Sequence, residues 1–157
     1  MDVEELLQRY AAGERDFSGV NLIGVNLSGL DLSKINFTNA DLSQSNLVGI
    51  KLRRANLRGV NLYQSGLLDA DLTEADLRDS ILENTDFQAA NLRGAIVDDA
   101  IKDAVLEDTI MPDGEIVTYS PWKMPPDISR DAIIASLQTT YFALLRVIAP
   151  SKSIVVN

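Results

Sequence analysis

ANLRGVNLYQSGLLDADLTEADLRDS, residues 55–80, decides the fold. Leu recurs in it every five residues, at Leu57, Leu62, Leu67, Leu72 and Leu77. Followed outward in both directions, this central slot holds Leu or Phe at all sixteen positions from Phe17 to Leu92. The residue before the centre is Asn or Asp in thirteen of the sixteen repeats. Two before the centre sits a small or aliphatic residue, such as Val20, Ala40, Ser45, Ala55 or Ala90. Two after it, Gly recurs at Gly19, Gly24, Gly29, Gly49, Gly59 and Gly94, six of the nine glycines.

A period of five suits neither regular element. On an α-helix five residues advance about 500°, so the leucines would wander around every face. On a straight strand an odd period alternates them between opposite faces. The pattern works if the chain bends once per repeat. Each repeat is then a very short strand and a corner, with the centre and the residue two before it pointing inward. Asn and Asp satisfy local backbone groups at the corners, and Gly takes their unusual dihedrals. Successive bends in one sense build an all-β solenoid.

The runs ANLRGVNL and DADLTEADLRDS resemble the A(D/N)LXX signature of the pentapeptide repeat family, over roughly residues 15–99. The opening MDVEELLQRYAAGERDFSGVNL and the phrase IMPDGEI look like cyanobacterial members. The resemblance implies a right-handed quadrilateral β-helix with four repeats, or 20 residues, per coil, and here about 4–5 coils. Residues 20 apart should then stack: Asp31, Lys51, Asp71 and Asn91 in one column, Arg54 on Glu74, Phe17 on Phe37. Past Asp99 the register stumbles, because Lys102 falls on a centre. A four-residue step restores it at Leu106 and Met111, which predicts an irregular last coil.

The ends read differently. Asp2 with Glu5 forms a capping-box pattern before Val3, Leu6, Leu7 and Tyr10, so residues 1–13 are expected to be a helix capping the first coil. The β-helix is expected over 14–111. All five prolines follow Met111, which makes 112–126 an extended linker. Residues 127–157 are expected to hold an amphipathic helix and a tail, with Ile133, Leu137, Tyr141, Leu144 and Ile148 on its apolar stripe. That stripe is the candidate dimer or docking helix, set either against its own solenoid or against a second copy. Its polar face argues against a membrane span.

The 157 residues carry 14 Lys+Arg against 23 Asp+Glu, with no His and no Cys, for a net charge of −9. This excludes disulfides, thiol nucleophiles, Cys/His zinc sites, His bases and haem ligation. An acidic balance argues against direct nucleic-acid binding. No secretory leader pattern opens the sequence, so a cytoplasmic location is expected. The acids Asp16, Asp31, Asp41, Asp71, Asp76 and Asp86 occupy the Asn/Asp slot, a structural position. A filled β-helix leaves little room for a cleft, so the expectation is a non-enzymatic protein without metal or cofactor.

Two surface features are candidate partner contacts. Lys51, Arg53, Arg54 and Arg58 form a basic patch. Ile23, Val48, Tyr63 and Leu68 break the polar rule of the position after the centre, and exposed apolar stripes mark contacts. The reading is a rigid scaffold for an unidentified protein partner. The alternative comes from the resemblance: quinolone-resistance and gyrase-inhibitor relatives are acidic dimeric rods that mimic DNA and bind a topoisomerase such as gyrase.

Overall fold

In a computed structural model of the chain, residues 1–118 are described, and the structural statements here concern them. Parallel bridges join residues 20 apart, or 19 in the last coil, in four columns. They run through Asp16, Asn36, Asn56, Asp76 and Ile96; Asn21, Asn61 and Ile81 by way of Asp41; Asn26, Asn46, Gly66, Asp86 and Val105; and Asp31, Lys51, Asp71, Asn91 and Ile110. The chain thus winds as a β-solenoid, with four five-residue repeats in each 20-residue turn. Each face carries only single bridges flanked by turns, because a corner interrupts it every five residues.

Sequence chemistry explains each slot. All sixteen central Leu and Phe residues are buried, none more than 2% exposed. Phe17 and Phe37 stack at 6.3 Å between ring centroids. All thirteen Asn or Asp residues before the centre accept, through Oδ1, the backbone N–H two residues on. That bond starts the corner. The corner closes on a residue of positive φ, such as Gly19 at 66° or Gly49 at 65°, followed by a backbone turn such as Ile50 N–H to the Leu47 carbonyl. Ten repeats place a non-glycine residue there, among them Ala89 at φ 57°. Left-handed backbone strains a residue bearing Cβ. Ala89→Gly is therefore expected to stabilise the fold by about 0.5–1 kcal/mol, read as a raised denaturation midpoint.

Polar atoms also enter the core. Ser45, Ser65 and Thr85 occupy the inner slot of one column and are buried. Ser45 Oγ donates to the Leu22 carbonyl at 2.9 Å and accepts the Val25 N–H at 3.2 Å. Ser65 Oγ donates to the Leu42 carbonyl at 2.7 Å and accepts the Ser45 N–H at 3.3 Å. Thr85 donates to Leu62 at 2.7 Å. Each hydroxyl satisfies a carbonyl of the preceding coil, as burial demands.

Helix α1, Val3–Ala11, has Asp2 as N-cap accepting the Glu5 N–H at 2.8 Å. The box is half formed, since the Glu5 carboxylate pairs with Arg9 instead of returning to Asp2. Leu6 is fully buried, and Val3, Leu7 and Tyr10 pack on the core. Tyr10 Oη donates to the Ser33 carbonyl at 2.8 Å. Arg9 lies over the Phe17 ring and pairs with Glu14. The first coil is thus covered by the helix.

The last coil shortens as the register required. Asp86 pairs with Val105 and Asn91 with Ile110, a spacing of 19. A 3-10 helix, Asp99–Asp103, absorbs the change and turns Ile101 inward, while Lys102 stays outside and pairs with Asp99 at 2.6 Å. The Asp98 carboxylate holds this turn by accepting the N–H groups of Asp79 at 2.6 Å and Ala100 at 3.0 Å. The first part of the expected linker behaves differently. Strand β1, Thr109–Ile110, pairs antiparallel with β2, Ile116–Val117, across a turn containing Gly114. Residues 112–118 therefore fold back on the last coil rather than run on as an extended connector; Pro112 begins the turn and offers its carbonyl to Gly94. The remaining linker residues and the helix expected over 127–157, with Ile133, Leu137, Tyr141, Leu144 and Ile148, lie outside the described residues.

Candidate interaction surfaces

The basic patch spans two adjacent faces. Lys51 sits in the column of Asp31 and Asp71, with Arg53 and Arg54 just after Leu52. Arg58 follows the centre of the next face. Arg54 Nε meets Glu74 Oε2 at 2.6 Å, one coil on, as the 20-residue stacking required. Arg58 reaches Asp79 at 2.9 Å, and Arg53 lies 3.6 Å from Asp71. The three arginines are half exposed or more, so solvent screens each pair and it contributes little to stability. Ser33, Lys34, Arg53, Arg54, Thr73 and Glu74 line a shallow hollow of about 270 Å³. A second, of about 280 Å³, lies among Thr38, Asn39, Arg58, Gly59 and Asp79. Lys34, Arg78 and Arg93 extend the patch beyond the four residues first singled out.

The apolar positions fall on the other two faces. Val48 and Leu68 are neighbours in adjacent coils, since the Gly49 N–H bonds to the Leu68 carbonyl at 2.8 Å. Ile23 and Tyr63 share a column with Ser43 between them, fixed by Gly24 N–H to Ser43 and Gln44 N–H to Tyr63. Ile23 is 48% exposed and Val48 37%, while Tyr63 and Leu68 are half-buried. All four stand outside the core. Ile81 and Ile96 are exposed too, but they replace Asn/Asp instead of following a centre, so the polar rule of that slot does not reveal them.

The slot carboxylates respond to their partners. The Ser33 hydroxyl and then its backbone N–H hold Asp31 below the usual carboxylate range. Ser18 acts in the same way on Asp16, and the Arg78 guanidinium on Asp76. The Asp79 and Ala100 N–H groups lower Asp98. A carboxylate whose folded pKa is depressed contributes stability above its unfolded value, near 3.9, and loses it as pH falls through the folded value. The thermal midpoint is expected to fall below about pH 4. Asp31→Asn with Asp16→Asn should blunt that fall yet leave the midpoint at pH 7 little changed, because Asn accepts the same corner bond elsewhere. A midpoint that is level down to pH 2.5 (about 1.4 units below the unfolded value) would contradict it.

Among the described residues no group of three or more carboxylates is arranged to hold a metal ion. Nor is any described helix long and apolar enough to cross a membrane.

A family model described as pentapeptide repeats matches in eight copies, over residues 16–39, 35–67 and 70–101. No curated protein matches. Among solved structures, the chain is similar to HetL, a pentapeptide repeat protein involved in heterocyst differentiation regulation in the cyanobacterium Nostoc sp. strain PCC 7120, at 22% identity and TM-score 0.33, over 74% of this chain and 100% of that one. A second pentapeptide repeat protein from Nostoc PCC 7120 is 29% identical, with TM-score 0.35, over 66% and 93% of the two chains. QnrB1, a plasmid-mediated fluoroquinolone resistance protein, is 14% identical, with TM-score 0.21, over 81% and 96%.

Proposed function

The chain belongs to the pentapeptide repeat family, and from that premise we propose that it is a non-enzymatic scaffold, a right-handed quadrilateral β-helix that presents side chains to a protein partner in the cytoplasm. The observation that carries this reading is the placement of Ile23, Val48, Tyr63 and Leu68 outside a core already filled by the sixteen centres. Side chains exposed in fixed columns on a hydrogen-bonded ladder lose little freedom on binding, which lowers the cost of association. Solenoid flanks serve as extended binding surfaces for this reason. The basic patch from Lys51 to Arg58 is a second contact region in this reading.

Affinity capture from the source cell tests it, with immobilised full-length chain as bait. A protein retained in stoichiometric amount and released by free chain is the expected result. Nothing retained, under crosslinking as well, would overturn the scaffold reading.

The net charge of −9 favours a second reading, an acidic DNA mimic that binds a topoisomerase such as gyrase. Against it, Lys51, Arg53, Arg54 and Arg58 interrupt the negative surface that such a mimic presents. A supercoiling assay decides: inhibition at micromolar protein would establish the mimic, and full activity would remove it.

A further inference from the structure

The 20-residue coil sorts the charges in a way the linear sequence hides. In the shortened last coil two adjacent faces carry Lys102, which pairs with Asp99; over the four coils before it they comprise residues 20–29, 40–49, 60–69 and 80–89, and these 40 positions contain no Lys or Arg. Their four charged residues are all acids: Asp41, Asp69, Glu83 and Asp86. The other two faces, residues 15–19, 30–39, 50–59, 70–79 and 90–99, hold eight Lys or Arg and eight Asp or Glu. On those faces the acids Asp71, Glu74, Asp76 and Asp79 each have an arginine partner. Asp41, Asp69, Glu83 and Asp86 form no ion pair among the described residues. The same 40 positions include Ile23, Val48, Tyr63 and Leu68.

We propose that these two faces form one docking surface for a partner segment that is apolar along one stripe and basic beside it. Depletion of charge with retention of aromatic and aliphatic side chains marks the centre of a protein interface. Val48 and Leu68 supply adjacent apolar contacts, and Tyr63 adds an aromatic one. The acids sit beside this strip: Asp69 follows Leu68, and Glu83 lies one coil beyond Tyr63 in the same column, where the Gln64 N–H bonds to its carbonyl. An acidic segment would be repelled by four carboxylates without an ion pair. A neutral one would leave them to be desolvated without a counter-charge. A basic amphipathic segment meets both requirements, and its charge also steers the encounter. The proposal rests on the scaffold reading and adds which faces serve and what chemistry they select.

The test uses the full chain and a synthetic helical peptide of about 18 residues, Leu on one face and Lys on the other, followed by fluorescence anisotropy at about 0.15 M salt. Saturable binding is expected. Val48→Ser with Leu68→Ser, which removes the apolar strip without adding charge, should weaken it at least about tenfold. Asp69→Asn with Glu83→Gln and Asp86→Asn, which spares the apolar strip and the core, should weaken it and flatten its salt dependence. Arg53→Ala with Arg54→Ala, on the opposite faces, should leave it unchanged. The proposal is overturned by the absence of binding, by equal binding of a peptide with Glu for Lys, or by equal loss in the Arg53/Arg54 variant. A dimer of the unliganded chain that Val48→Ser with Leu68→Ser converts to monomer would assign the surface to a second copy, and also overturns it. Because affinity capture does not depend on this peptide, a captured partner alongside a negative peptide result would keep the scaffold reading and remove only this surface.

Discussion

Leu57→Ala is expected to lower stability by about 2–5 kcal/mol, the range for a large-to-small change in a close-packed core. Leu57 is fully buried in the inner column between Phe37 and Leu77. The neighbouring coils are tied to its own by the Phe37 N–H to Asn56 and the Leu57 N–H to Asp76, each at 2.8 Å. Those bonds limit collapse into the cavity, which favours the upper part of the range. Arg58→Ala, one residue on, should change stability by no more than about 0.5 kcal/mol, since its pair with Asp79 is exposed. Urea denaturation of both variants checks the contrast. Equal shifts would mean that the inward and outward positions are misassigned.

Ser65→Ala is expected to cost about 0.5–1.5 kcal/mol, the net contribution of a hydrogen bond, although it removes a single oxygen. That oxygen joins two coils, donating to the Leu42 carbonyl and accepting the Ser45 N–H. Its loss breaks the link between the coils and leaves the Ser45 N–H and the Leu42 carbonyl to close on each other, as the Ala40 N–H does on the Phe37 carbonyl. Ser28→Ala, at an exposed position of the same face, should be close to neutral. Thermal melts of the two variants measure the difference, and indistinguishable midpoints would show that the hydroxyl bridge contributes nothing.

The candidate surfaces were partly legible. Ile23, Val48, Tyr63 and Leu68 stood out because they broke the polar rule of their slot, and the structure places all four outside the core. Arg54 with Glu74 followed from 20-residue stacking alone. The pairing of Arg58 with Asp79 did not, because it joins residues 21 apart and depends on how the side chain crosses the corner. Lys34, Arg78 and Arg93 were missed for a related reason: they are scattered along the chain and share a side of the molecule only once it is coiled.

What the sequence determined by itself was the repeat lattice. A five-residue period admits neither helix nor straight strand, so the bend, the inward centre and the Asn/Asp corner followed from local geometry, and sixteen repetitions made each inference redundant. The shortened coil was legible as well, since a lysine at Lys102 could not occupy a centre. Tertiary structure decided whatever depends on contacts between coils. Pro112 reads as the start of a connector, yet residues 112–118 return to pair with Thr109–Ile110, because the last coil leaves backbone groups that a following strand can satisfy. Ser45 and Ser65 read as small fillers of an inner slot; only the adjacent coil shows which carbonyls they satisfy. The separation of cation-free from charged faces likewise comes from the 20-residue turn. A local period states which side of a strand a residue takes, whereas the stacking of turns states which residues become neighbours.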